Sequence, residues 1–104
     1  MELSEAQELS KKLKDTINNL SRSPDKDPFM ILVHLLEECG EASTIVKGLE
    51  GKKPKDPSHY SKDELSKEIV DIIHNAFCLA EYYGISVEEV FEKRVDEISK
   101  KFEK

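Results

Sequence analysis

The chain has 104 residues, 37% charged and 38% hydrophobic, with a formal net charge of −6, so it reads as one small globular domain spanning 1–104. The acidic balance argues against a nucleic-acid or anionic-membrane surface. No apolar run approaches ~18 residues and the N-terminus lacks a signal-peptide pattern; Cys39 and Cys78, without CxxC spacing, read as small reduced core residues of a cytoplasmic protein.

In chain order, the pattern predicts a first helix over residues 4–20. Ser4 and Gln7 have capping-box spacing, and Leu3, Ala6, Leu9, Leu13, Ile17 and Leu20 share one stripe. Ser23-Pro24-Asp25 breaks the chain into a turn. Asp27-Pro28 reads as the N-cap and first position of a second helix, 28–48. Residues 50–60 carry two prolines and read as a loop. Its Lys52, Lys53 and Lys55, like Lys47, are of a kind ordinarily just solvated, though a basic loop beside an acidic site would steer a polyphosphate. Ser61 with Glu64 opens a third helix, 61–83, ended by Gly84, and Ser86 with Glu89 opens a fourth, 86–102. The fourth carries the stripe Val87, Phe91, Val95, Ile98 and Phe102. Nothing alternates with period two, so no strand is expected.

The fold class is therefore all-α, a four-helix bundle-like protomer. Residues 69–80 are apolar nearly all round, which calls for cover on several sides. Assembly into a helical oligomer, a homodimer or homotetramer, is the expected source of that cover. Phe29, Phe77, Tyr82 and Tyr83 read as core rather than as a base-stacking platform.

Two acidic clusters carry the chemistry. The first is Glu37-Glu38-Cys39-Gly40-Glu41 and the second Glu68-Ile69-Val70-Asp71. Glu38 and Glu41 are three apart, as are Glu68 and Asp71, so each pair shares one helix face. At about 100° per residue, Ile31, Leu35, Ala42, Ile45, Val46 and Leu49 form an apolar stripe with Glu38 in its middle and Glu41 at its near edge. On the third helix, Glu64, Glu68, Asp71 and Asn75 form a narrow polar strip between apolar borders. A solvated acidic face would lie opposite the stripe, and buried carboxylates without partners are costly. Two such helices packed together bring four carboxylates to one place, where a hard divalent cation with oxygen ligands relieves the repulsion. Mg²⁺ is the expected ion, with Mn²⁺ a possible substitute.

The residues Glu37, Glu38, Glu41, Glu68 and Asp71 resemble the Glu-Glu-x-x-Glu, gap, Glu-x-x-Asp signature of the all-α nucleoside triphosphate pyrophosphohydrolases of the MazG type. The likeness takes in Leu35-Leu36-Glu37-Glu38-Cys39-Gly40-Glu41-Ala42, then runs from Glu68 through Gly84 and Glu89 to Lys93, roughly residues 28–100. It implies hydrolysis of a nucleoside triphosphate substrate at its α–β bond, with Glu38, Glu41, Glu68 and Asp71 as metal ligands. It implies that Lys93 meets the phosphates. Where many relatives carry an Asn and an Arg further along the last helix, this chain has Asp96 and Lys100, which leaves open which bases grip the phosphates. The phosphoribosyl-ATP pyrophosphohydrolases share the second motif and rank second.

The chemistry also stands on the residues. A triphosphate carries about four negative charges that must be neutralised for attack at phosphorus. Glu37, on the flank of the ligand face, reads as general base or as a group orienting the water, a role not separable from Glu41. His34, one turn before Glu38, reads as base-contacting or packing rather than ligating, as does His74. Asn75 binds sugar or base, or satisfies a neighbouring carboxylate. No GxxxxGK loop is present to hold a γ-phosphate for transfer. A reading of a different class is a non-catalytic helical module whose acidic strip pairs with a basic partner.

Overall fold

The computed structural model describes residues 1–20, 27–51 and 60–103. Its elements are α1 (Leu3–Leu20), α2 (Pro28–Leu49), α3 (Lys62–Tyr82) and α4 (Val87–Lys100), and the described residues form no strand. The expected turn at Ser23-Pro24-Asp25 and the loop lysines Lys52, Lys53 and Lys55 lie outside the described residues. No described helix is long and apolar enough to cross a membrane.

Side-chain caps set where three of the helices begin. The Asp27 carboxylate accepts from the Phe29 N–H at 2.8 Å, and Pro28 follows where no N–H is needed. Ser61 Oγ accepts from the Glu64 N–H at 3.1 Å, and Ser86 Oγ from the Glu89 N–H at 3.5 Å. Two of the helix ends use left-handed glycines: Gly51 (φ 71°) after α2, and Gly84 (φ 66°) after α3, where the Ile85 N–H reaches back to the Ala80 carbonyl at 2.9 Å. The helix α2 ends at Leu49, one residue past the expected end near Gly48.

At α1 the structure corrects the sequence. Ser4 and Gln7 do not form a capping box. The helix starts one residue earlier, and the Glu2 N–H donates to Glu5 Oε1 at 3.1 Å, the returning half of a box built on Glu2. Gln7 is instead buried, 5% exposed.

Contacts within the chain group into two compact units, residues 1–24 with 77–104, and residues 25–76. In the first, Gln7 is the polar centre. Its Nε2 donates to Glu81 Oε1 at 2.8 Å and to the Ile85 carbonyl at 2.7 Å, and its Oε1 accepts from the Val87 N–H at 2.9 Å. One side chain of α1 thus ties the end of α3, the turn and the start of α4. The second unit holds α2 and most of α3. Ile31 and Ile45 are buried on α2, one heptad either side of Glu38. The ring of Tyr60 sits where a Cβ on Gly48 would stand, so the segment just before α3 packs directly on the α2 backbone there.

The chain buries few large apolar groups. Leu9, Leu13 and Ile17 on α1 and Phe91, Val95 and Ile98 on α4 are about half exposed although they lie on the expected core stripes. Phe77 is buried as expected, but Phe29, Tyr82 and Tyr83 are exposed, the two tyrosines stacked edge to face at 5.0 Å. Cys78 is buried and Cys39 is exposed, so only the first is a core residue of the protomer.

Replacing Gln7 by Leu removes three hydrogen bonds and strands the Ile85 carbonyl and Val87 N–H. A loss of about 1–3 kcal/mol is expected, read as a lower urea midpoint with unchanged slope at fixed protein concentration. A shift below ~0.5 kcal/mol would contradict this role.

Candidate metal centre

The second unit brings acids from two helices together. One carboxylate oxygen from each of Glu38 and Glu41 on α2 and Glu68 on α3 lies within 4.8 Å of the others. Glu38 and Glu68 are half-buried and Glu41 is exposed. Glu38 Oε2 and Glu68 Oε2 are shut off from solvent and have no hydrogen-bond partner. Ionised carboxylates offer only lone pairs, so neither oxygen has a donor to accept from.

Without a cation, the crowding favours the protonated form of these acids. The Glu68 carboxyl is held above its ordinary value of 4.5, first by a hydrogen bond its protonated form shares with Glu38. Burial and the charges of Glu38 and Asp71 push the same way, while a hydrogen bond with Glu41 opposes. Glu41 is also raised, first by its hydrogen bond with Glu68, then by the charge of Glu68, burial and the charges of Glu37 and Asp71. Glu38 and Glu68 each bring an oxygen within 4.8 Å of the other, so the pair repels when both are ionised and the protonated form of Glu68 is favoured.

The remaining sequence candidates fall around this cluster. Asp71 is exposed and outside the group of three, yet its charge acts on both Glu41 and Glu68. Glu37 is exposed and acts on Glu41. Asn75 is half-buried and donates from Nδ2 to the Asp71 main-chain carbonyl at 2.9 Å, so that N–H serves neither a ligand nor a carboxylate. His34 and His74 are half-buried and lie outside the group of three. On the same strip as Glu68, Glu64 pairs with Lys67 at 3.2 Å. Lys93 belongs to the other unit, on exposed α4 among Glu89, Glu92 and Asp96. Lys100, the further base of that helix, pairs with Asp96 at 3.0 Å. Nothing in the sequence pattern singled out Tyr60. Its seat on Gly48 lies two turns, about 10 Å, along α2 from Glu41.

The donor set is all oxygen, clustered, and orphaned at two buried atoms. That chemistry suits a hard divalent cation better than zinc or a soft metal. Glu38, Glu41 and Glu68 are the residues that fit it.

The profile of the MazG nucleotide pyrophosphohydrolase domain matches residues 27–104. The chain belongs to the MazG family. Among curated proteins, YvdC of Bacillus subtilis (strain 168), described as uncharacterized, is 36% identical over 81 residues, covering 73% of this chain and 76% of the relative. No solved structure is significantly similar. Family membership places this MazG domain with the nucleotide pyrophosphohydrolases, and its matched residues include all three acids of the cluster.

The raised carboxyls of this MazG domain set the sign of its pH response. A carboxyl whose folded pKa lies above 4.5 favours the fold when protonated. That contribution is complete below the ordinary value and is lost as pH rises through the raised one. In chelator, the wild type should therefore gain melting temperature between pH 7 and pH 4.5 relative to Glu68→Gln. Saturating Mg²⁺ should reverse the trend, because cation and protons compete for the same oxygens. Parallel pH profiles for wild type and variant in chelator would contradict the raised Glu68 carboxyl.

Proposed function

We propose that this chain is a Mg²⁺-dependent nucleoside triphosphate pyrophosphohydrolase, converting ribo- or deoxyribonucleoside triphosphates to the monophosphate and pyrophosphate. The observation that carries the reading is the pair of buried, partnerless oxygens on Glu38 and Glu68 beside Glu41, in a chain of the MazG family. An acidic cluster alone would repel a polyphosphate, so it suits this substrate only with a cation bound. When bound, Mg²⁺, or Mn²⁺ in its place, neutralises phosphate charge and lowers the pKa of water.

Each residue then has a defined task. Glu38, Glu41 and Glu68 hold the cation, and Asp71 adds its charge from the edge. Glu37, exposed beside Glu41, takes the proton of the attacking water or orients that water by accepting its hydrogen bond. Lys93 is the candidate phosphate contact on α4. The water oxygen bonds to the α-phosphorus, the α–β bridging bond breaks, and pyrophosphate leaves with its electron pair. The net charge of −6 disfavours nucleic-acid polymers as partners.

Turnover of each common triphosphate with Mg²⁺ in ¹⁸O-water tests the bond. Label in the monophosphate is expected. Label in pyrophosphate would move the attack to the β-phosphorus, and free orthophosphate would move it to the γ end. Glu38→Gln should lower kcat/KM at least about 100-fold, about 2.7 kcal/mol. Turnover of phosphoribosyl-ATP but of no ordinary triphosphate would replace the substrate.

A further inference from the structure

Gly48 lies in the last turn of α2. The usual reason for glycine near a helix end is a left-handed backbone, but the positive φ values belong to Gly51 and Gly84 and not to Gly48. Its reason is space. A Cβ on Gly48 would fall on Tyr60 Cγ, Cδ1 and Cδ2. These atoms are the near half of the ring, and turning the ring about its own axis leaves Cγ in place. A side chain at position 48 therefore displaces Tyr60 as a whole.

Tyr60 stands one residue before the cap of α3. Ser61 Oγ accepts from the Glu64 N–H at 3.1 Å, and the Ser61 carbonyl accepts from the Leu65 N–H at 3.0 Å. A displacement of Tyr60 thus passes through one peptide bond into the first turn of the helix that carries Glu68. Glu68 lies seven residues after Ser61, and Glu41 lies seven residues before Gly48, on the same face of α2. The approach of Glu41 to Glu68 and the seat of Tyr60 on Gly48 are therefore separated by two turns, about 10 Å, along each helix. All of these residues belong to the unit 25–76.

A hard cation takes oxygens at about 2.0–2.6 Å, and a working ligand set tolerates misplacement of about 0.5 Å. Glu38 and Glu41 come from α2 and Glu68 from α3. The three converge only at one placement of α3 along α2. Buried side chains of α3 do little to fix that placement near the acids, because Phe77, Cys78 and Ala80, its buried residues, all lie beyond Glu68 and in the other unit. The ring on Gly48 is a close contact at the end of α3 where buried residues are lacking.

We infer that Tyr60 is a positioning residue of the metal centre: its ring, seated on the bare backbone of Gly48, sets where α3 lies along α2 and so brings Glu68 to Glu38 and Glu41. The inference rests on the reading of these three acids as cation ligands. It assigns Tyr60 no contact with cation or substrate.

The experiment titrates the full chain with Mn²⁺ alone and reads free Mn²⁺ by electron paramagnetic resonance, on proteins whose helical circular dichroism matches the wild type. Gly48→Ala and Tyr60→Ala should each raise the Kd at least about tenfold. Tyr60→Phe, which keeps the ring, should stay within about twofold of wild type. Adding Gly48→Ala to Tyr60→Ala should change the Kd by no more than about twofold, because the methyl then meets no ring. A general loss of stability would not give that pattern in folded protein. If Gly48→Ala loses its helical signal, the comparison of Tyr60→Ala with Tyr60→Phe decides, and equal affinities would overturn the inference. Wild-type affinity in folded Gly48→Ala, or an equal loss from Gly48→Ala with and without the ring, would also overturn it while leaving the metal centre in place. A wild type that binds no Mn²⁺ would overturn the metal centre itself, and the positioning role with it.

Discussion

Carboxylates that face one another across two helices are the constraint on which the rest of this structure depends. Glu38, Glu41 and Glu68 crowd within 4.8 Å, and two of their oxygens are buried without a donor. Left ionised and empty, such a group works against the fold. The chain nevertheless spends helix α2 and helix α3 on making it. Buried Ile31 and Ile45 flank Glu38 on one helix, and the Tyr60 ring rests directly on Gly48. The Tyr60 contact ties the segment before α3 to α2, and these two helices carry the acids. A site that costs stability unless a proton or a cation enters it is a site built for one of them.

Much of this was legible in the sequence, for identifiable physical reasons. Caps are local, so Asp27-Pro28, Ser61 with Glu64 and Ser86 with Glu89 marked three helix starts that the hydrogen bonds bear out. Periodicity is also local, and the position of Glu38 in the middle of an apolar stripe anticipated its half-buried state. The illegible part is whatever depends on a distant element. Ser4 and Gln7 had the spacing of a capping box, but Gln7 finds better partners more than seventy residues away, in Glu81, Ile85 and Val87. Asp71 shares its helix face with Glu68 and is exposed, and its charge acts on both Glu41 and Glu68. Tyr60 closes on Gly48 through a contact between the end of one helix and the residues before the next, which no periodic pattern records.

Exposure shows the same limit from the other side. A stripe of leucine, isoleucine and phenylalanine marks a face that needs covering, and says nothing about what covers it. Leu13 and Ile17 on α1, Phe91 and Val95 on α4, and Leu36 on α2 remain half exposed or more. Phe29 and Cys39 read as core and are surface in the protomer. The acid cluster and the uncovered apolar faces thus present two separate deficits, one of charge and one of contact. The family to which the chain belongs supplies a reaction for the first.

The central claim is that Glu38, Glu41 and Glu68 converge to hold a divalent cation. Crystals grown with Mn²⁺ and measured at a wavelength where manganese scatters anomalously address it most directly. The account predicts an anomalous peak within about 2.0–2.6 Å of oxygens from all three side chains, the distances at which hard cations take oxygen ligands. A map with no peak at the cluster, or with the ion held elsewhere while these three carboxyls remain in mutual contact, would contradict it.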